Sequence, residues 1–337
     1  MGKTVLSTTS ESFPAETERV LDRFREDPAA EEFESLPGDH PRPGRRLPLI
    51  FFALTVVSTF WAGVTAWNPE PLLSISWNQS SALAIRQSFI ANWQTGLVFS
   101  AGLISILLAH EMGHYIASRY YRVRASYPIF IPFPFSPFGT CGAVIMMDGR
   151  TADRREIFDI GIAGPLAGLV VAIPLGIIGL LYPSAPEFAA GDSLRLGEPL
   201  AFRLLDWLLG TSAFTAAEGF ATTDASPLLM ACWIGLLVTG INMMPMSQLD
   251  GGHVTFGLLG ERAVWVARAA FLAAAAYAIV MHRTEFAVML VLVLFLKLRH
   301  PPSRDDTRRI GWPRAVLAVA SLSLPILCIP ARPFIGF

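Results

Sequence analysis

Long apolar stretches alternate with short polar ones along this chain, and most approach the roughly 20 residues that carry a helix across a hydrocarbon layer. The first covers residues 47–67, the second 97–115, the third 157–181, the fourth 227–245 and the fifth 263–281. Residues 286–298 form a shorter run, and 313–330 close the series. This pattern predicts an all-α polytopic membrane protein, a helical bundle of about six to eight spans.

Two segments break the pattern. Residues 127–138 read YPIFIPFPFSPF, and the prolines at 128, 132, 134 and 137 deny it a helix. It is too short to span and too apolar for an ordinary loop, so a re-entrant or interfacial segment is expected, with its backbone satisfied by protein or a wet cavity. Residues 139–147, GTCGAVIMM, follow as a short strand after a glycine turn. Its edge can hold an extended peptide through main-chain hydrogen bonds, or the segment can simply pack as a loop on the bundle.

Composition agrees with the membrane reading: 53% of the 337 residues are hydrophobic and 16% charged, against about 25% charged in soluble domains. The net charge of −1 singles out no polyanionic partner, and no nucleic acid is expected. Charge placement says more. Arg42, Arg45 and Arg46, then Arg119, Arg122 and Arg124, then Arg150, Arg154 and Arg155, and finally Lys297, Arg299, Arg304, Arg308 and Arg309 all fall on one side when the spans alternate. The opposite loops, 68–92 and 183–226, hold only Arg86, Arg195 and Arg203. Basic residues mark the cytoplasmic side, so a cytoplasmic N-terminus is expected. Residues 1–46 are acidic and rich in turn formers near their end, which reads as a solvated tail with a charged helix over 15–33 rather than a signal peptide. The expected division is a tail (1–46), a first span with its external loop (47–92), a catalytic core (93–255) and C-terminal spans (256–337). Cys141, Cys232 and Cys328 are scattered and read as buried, inert thiols.

The chemistry is concentrated at the end of the second span. His110-Glu111-Met112-Gly113-His114 follows 17 residues, 93–109, without a charge. An HExxH on a helix sets two imidazoles on one face to bind one zinc ion, with the glutamate as base for the metal's water. An ionisable residue inside a membrane span marks function. A catalytic zinc takes a third protein ligand. His40 lies in the tail, His282 at the opposite face, and His300 follows the short run with no partner nearby, which leaves the segment from Asn242 to His253. Asp250 and His253 are its candidates, and spacing does not choose between them.

HEMGH together with NMMPMSQLDGG resembles the site-2 protease family of intramembrane zinc metalloproteases, as does GIAGPLAG at 161–168 between them. The resemblance covers roughly residues 97–252 and lies nearest the branch without a PDZ or CBS domain, for which no stretch here is long enough. It implies one zinc ion per chain held by His110, His114 and Asp250, with Glu111 as general base. It implies that Asn242 lies near the scissile peptide and that the strand 139–147, including Gly139 and Gly142, aligns substrate. From the residues themselves, Gly161, Gly164 and Gly168 read as helix-packing positions, His253 as a neighbour of the site rather than a ligand, and Asp159 as the partner of a flanking arginine.

The expected activity is therefore cleavage of transmembrane substrates, single-span proteins in a lipid bilayer, by regulated intramembrane proteolysis. A bacterial cytoplasmic membrane is the expected location, with the active-site side facing the cytoplasm. Two other classes use the same features: a metal-ion transporter with these ligands as a transit site, and a membrane-helix receptor that binds without cutting. The HExxH glutamate, which neither needs, favours the protease.

Overall fold

The computed structural model describes residues 46–189, 193–211, 214, 219–246, 248–282, 286–287, 290–291 and 303–335. The tail helix expected at 15–33, His40, His300 and most of the short run 286–298 lie outside these residues. Helices dominate: α1 (Arg46–Val64), α2 (Pro69–Asn78), α3 (Leu83–Tyr120), α4 (Arg154–Leu181), α5 (Leu200–Leu209), α6 (Pro227–Asn242), α7 (Asp250–Leu259), α8 (Ala263–Val280), α9 (Gly311–Ser321) and α10 (Leu324–Cys328). Among the described residues five helical stretches are long and apolar enough to cross a membrane: α1, α3, α4, α7 with α8, and α9 with α10. The shorter α6 is also apolar. The chain is an all-α polytopic membrane protein with a few small strands.

The central layer is α3, α4 and α6, with α1 packed on α3 and α7 on α4. Small and hydroxylated residues bring α1 and α3 together. Gly63 faces the Gly96 backbone so closely that a Cβ there would lie 2.7 Å from the Gly96 Cα, the approach that small residues permit between membrane helices. Thr59 Oγ1 and Ser100 Oγ are 2.7 Å apart in the same buried seam. Residues 68–92, expected as an external loop, instead form α2 and the first turns of α3. Asn92 is fully buried there; its amide nitrogen donates to the carbonyls of Val64 (3.0 Å) and Phe188 (2.6 Å), while its oxygen accepts from the backbone of Glu187 and Phe188.

Helix α4 opens with a capping box: Asp153 accepts from the Arg155 and Glu156 amides, and Glu156 accepts from Asp153. Its Pro165 and Pro174 are tolerated within a helix surrounded by other helices. The Arg154 side chain reaches across to the last turn of α7 and donates to the carbonyls of Phe256, Gly257 and Leu258, groups that a helix end leaves without partners. Ser226 caps α6 and donates to the Gly179 carbonyl of α4 at 2.9 Å.

The proline-rich segment is not a featureless loop. Ile129–Phe133 forms β1, paired antiparallel with β2 (Gly139–Val144), with an irregularity between Phe130 and Pro132. Pro132 lacks an N–H, and a bulged edge strand is where a sheet accepts that. The hairpin packs on α1, with Phe130 edge-on to Phe52 at 5.1 Å. Residues 193–226, to which no role was attached, contribute β3 (Arg195–Leu196) and β4 (Phe220–Ala221). These join β5 (Phe334–Ile335) in a small antiparallel sheet. Cys232 and Cys328 are buried, whereas Cys141 is exposed on β2, contrary to expectation, because alternate side chains of a strand point outward.

Candidate metal centre

His110 and His114 sit one turn apart on α3, both buried, with ring centroids 5.0 Å apart. Room for the rings comes from α4. A Cβ at Gly164 would lie 2.1 Å from His114 Nε2, a steric clash, and one at Gly168 would lie 3.3 Å from His110 Cβ and Nδ1. The glycines read as packing positions thus serve the imidazoles directly. Gly161 abuts the His253 Cβ, so His253 lies one turn along α7 from Asp250, against α4 and apart from the donor group.

Asp250 arrives on a different helix. α6 ends at Asn242, Pro245 stands in the break, and α7 begins at Asp250. Gly251 lets the start of α7 press on the end of α6: a Cβ there would overlap the Met243 carbonyl. A carboxylate in the first turn of a helix lies at its positive end.

The three side chains converge. His110 Nε2 is 3.1 Å from Asp250 Oδ2, His114 Nε2 is 3.2 Å from Asp250 Oδ1, and the two Nε2 atoms are 3.2 Å apart. Ligands of a tetrahedral zinc at about 2.0–2.1 Å stand about 3.3 Å from one another, so this triangle has the edge length of one face of such a site. The donor chemistry fits as well. His114 Nδ1 lies 2.8 Å from the Ile160 carbonyl, an acceptor, so Nδ1 carries the proton and Nε2 of the neutral ring presents a lone pair. That lone pair faces another imidazole and a carboxylate oxygen. Among the described residues, this is the one group of three or more such donors close enough to share an ion.

Glu111 shares this buried surroundings, with 5% of its surface exposed. Its carboxylate faces the electrostatic field of His110, His114 and Asp250, and no hydrogen-bond donor to it is found among the described residues. Asn242 Nδ2 is 3.5 Å from His110 Nε2, which brings the end of α6 to the same point. Gly139 and Gly142 have φ of +74° and +96°. Gly139 backs onto Ser58 and Thr59 of α1 rather than onto the donor group, and Gly142 has open space where a side chain would be.

Asp159, one residue before Ile160, is held by Arg314 of α9 through two hydrogen bonds of 2.8 Å and by the Tyr121 hydroxyl at 2.6 Å. The arginine was expected from a flanking position; it comes instead from the last apolar stretch, a pairing with no signature in local sequence. Burial, then the Asp159 carboxylate, push the Tyr121 hydroxyl up to about 12.

Residues 98–292, more than half of the chain, match the model of peptidase family M50. The chain belongs to peptidase family M50. This agrees with the site-2 protease resemblance. The M50 chain is similar to a probable zinc metalloprotease, EGY1, chloroplastic, of Oryza sativa subsp. japonica, 29% identical over 84% of this chain and 50% of that one. The Arabidopsis thaliana protein of the same name is 28% identical over 69% of this chain and 43% of its own. The Arabidopsis EGY2, also named a probable chloroplastic zinc metalloprotease, is 31% identical over 47% of this chain and 28% of its own. The chain thus spans about half or less of the length of these relatives. No solved structure matches it. The relatives are chloroplast proteins of plants, so the expected bacterial membrane finds no support among them; the integral-membrane placement rests on the helices.

Proposed function

We propose that this M50 chain is an intramembrane protease that hydrolyses peptide bonds of membrane-spanning substrates, with His110, His114 and Asp250 as its zinc ligands and Glu111 as its general base. The observation that carries the reading is the triangle of donor atoms 3.1–3.2 Å apart, built inside apolar helices with a donor-free buried carboxylate beside it. A zinc ion held by His110, His114 and Asp250 would supply Lewis acidity and lower the pKa of a water toward about 7. Glu111 takes the proton of the attacking water and returns it to the leaving amine, a task that needs a carboxylate with its lone pairs uncommitted. The Ile160 carbonyl keeps the His114 ring in the tautomer that points Nε2 at the ion. The Asn242 amide donates to the oxygen on which negative charge develops.

The substrate must present extended backbone, because a helix commits its carbonyls internally. β2 supports this step: among the described residues β1 is its only strand partner, which leaves an edge for an incoming strand. Gly142 keeps that stretch free of a side chain. The expected substrates are single-span proteins in the bilayer. A transporter reading gains nothing from the one donor group among the described residues, since a transit path requires a succession of sites.

The test is cleavage of single-span substrates by purified protein in liposomes, with bound zinc quantified. Wild type should cut, chelation should stop it, and Glu111→Gln should reduce cleavage about 10²–10⁴-fold with zinc retained. Undiminished cleavage by zinc-loaded Glu111→Gln would remove Glu111 from its role. Zinc-dependent ion flux without cleavage of any substrate would replace the protease with a transporter.

A further inference from the structure

A cavity of about 560 Å³ lies away from the donor triangle, where the end of α7, the start of α4 and the start of α9 meet. Arg154, Arg262 and Arg309 line it together with Leu259, Ile310 and Trp312. Three guanidiniums on one cavity repel one another unless something neutralises them. Arg154 is committed to the carbonyls that end α7. Arg262 and Arg309 make no side-chain ion pair with a carboxylate among the described residues; the Asp306 carboxylate acts on Arg154, one acid against three guanidiniums. The cavity is therefore open to an anion, and arginine favours phosphate through its planar fork of donors.

The other half of the lining is apolar, which a free phosphate would not use. The cavity also sits at the end of two helices that turn large apolar side chains outward. Leu272 and Ile279 of α8 and Val316 and Val319 of α9 are exposed, as are Trp265 and Trp312 near the helix starts. Tryptophan at a helix end is the mark of a membrane interface, and exposed apolar helix surface there is where acyl chains lie. Arg268 stacks over Trp265 at 4.9 Å, adding a further cation on α8. Head and tail of one amphiphile match the two halves of this surface.

We propose that this cavity is a binding site for the headgroup of an anionic phospholipid, its phosphate held by Arg262 and Arg309 and its chains running along α8 and α9. Basic pockets between membrane helices are sites of this kind. The site is independent of the peptidase reading, since none of its residues touches the donor triangle.

The test uses the full chain in detergent, with tryptophan fluorescence quenched by phosphatidylglycerol carrying brominated chains and the Trp312 share assigned by difference from Trp312→Phe. Brominated phosphatidylcholine and inorganic phosphate serve as comparison probes. Phosphatidylglycerol should quench saturably and survive into native mass spectra, and phosphatidylcholine should bind at least about tenfold more weakly. Arg262→Gln/Arg309→Gln should lose a similar factor while keeping the helical circular dichroism and elution volume of the wild type, which report an intact fold. If the double variant misfolds, Arg309→Gln alone decides. Trp312→Phe should lower the amplitude of the saturable quenching. Equal binding of the two lipids, or no loss in the folded variants, overturns the proposal. Full displacement of lipid by millimolar inorganic phosphate also overturns it, in favour of a site for a soluble anion.

Discussion

Helices α7 and α8 follow each other along one apolar path, yet they live in different solvents. α7 buries Gly251, Gly252, Val254, Thr255, Phe256 and Gly257 against α4 and its surroundings. α8 buries only Ala263 and Ala267 among its described residues, and turns Trp265, Leu272 and Ile279 outward. Hydropathy does not separate them, because lipid is as apolar as leucine. Burial does: α7 sets three glycines close against its neighbours, while α8 turns whole side chains away from the rest of the described protein. The metal group lies wholly within the close-packed region, and this separates the positions that tolerate change from those that do not.

The sharpest test of that division is Gly164→Leu. Any side chain there collides with the Nε2 edge of the His114 ring, so bound zinc should fall to background by elemental analysis while circular dichroism still reports a helical protein. A zinc-loaded Gly164→Leu would mean that α4 can retreat from α3. Next is Phe256→Ala, in α7 at 4% exposure. In lipid the loss is one of packing, and a cavity of about 100 Å³ at about 24 cal/mol per Å³ predicts about 2 kcal/mol in reversible unfolding. Arg314→Ala should follow at about 1–3 kcal/mol through loss of its two hydrogen bonds to Asp159. It should also weaken zinc in competition with a chelator, because Ile160, which orients His114, is the next residue. A stability loss with zinc affinity untouched would confine Arg314 to holding α9. The smallest effect belongs to Leu272→Ala on α8, at 66% exposure. It should stay within about 0.5 kcal/mol, and a larger loss would show that protein, not lipid, covers that face.

Much of this was legible beforehand, for identifiable reasons. The runs of apolar residues marked α1, α3, α4, α6, α8 and α9 because length and hydropathy are local properties. HEMGH announced the two imidazoles because a helix fixes the spacing of i and i+4. Asp250 over His253 was not legible from spacing, since both lie on the same short helix; the choice depends on which end of α7 abuts α3, a fact of packing. The same limit hid the partner of Asp159, which is Arg314, 155 residues away, and the link from Arg154 to the end of α7. Residues 68–92 looked like a loop because their polar side chains, Ser88 and Asn92 above all, are satisfied inside the bundle rather than by water. Pro132 argued against regular structure, but a bulged edge strand accommodates it.

Helix α3, 38 residues and about 57 Å long, far exceeds a hydrocarbon layer of about 30 Å, whereas α6, with 16 residues, reaches about 24 Å. A rod that overshoots the layer is indifferent to its thickness; a rod that falls short is not. The end of α6 at Asn242, and with it the start of α7, therefore sits at a depth measured from one interface only. Thickening or thinning the bilayer shifts that depth relative to whatever else spans it. The protein carries a built-in gauge, and the thickness of the bilayer in which it sits becomes one of the quantities that set how deep the start of α7 lies.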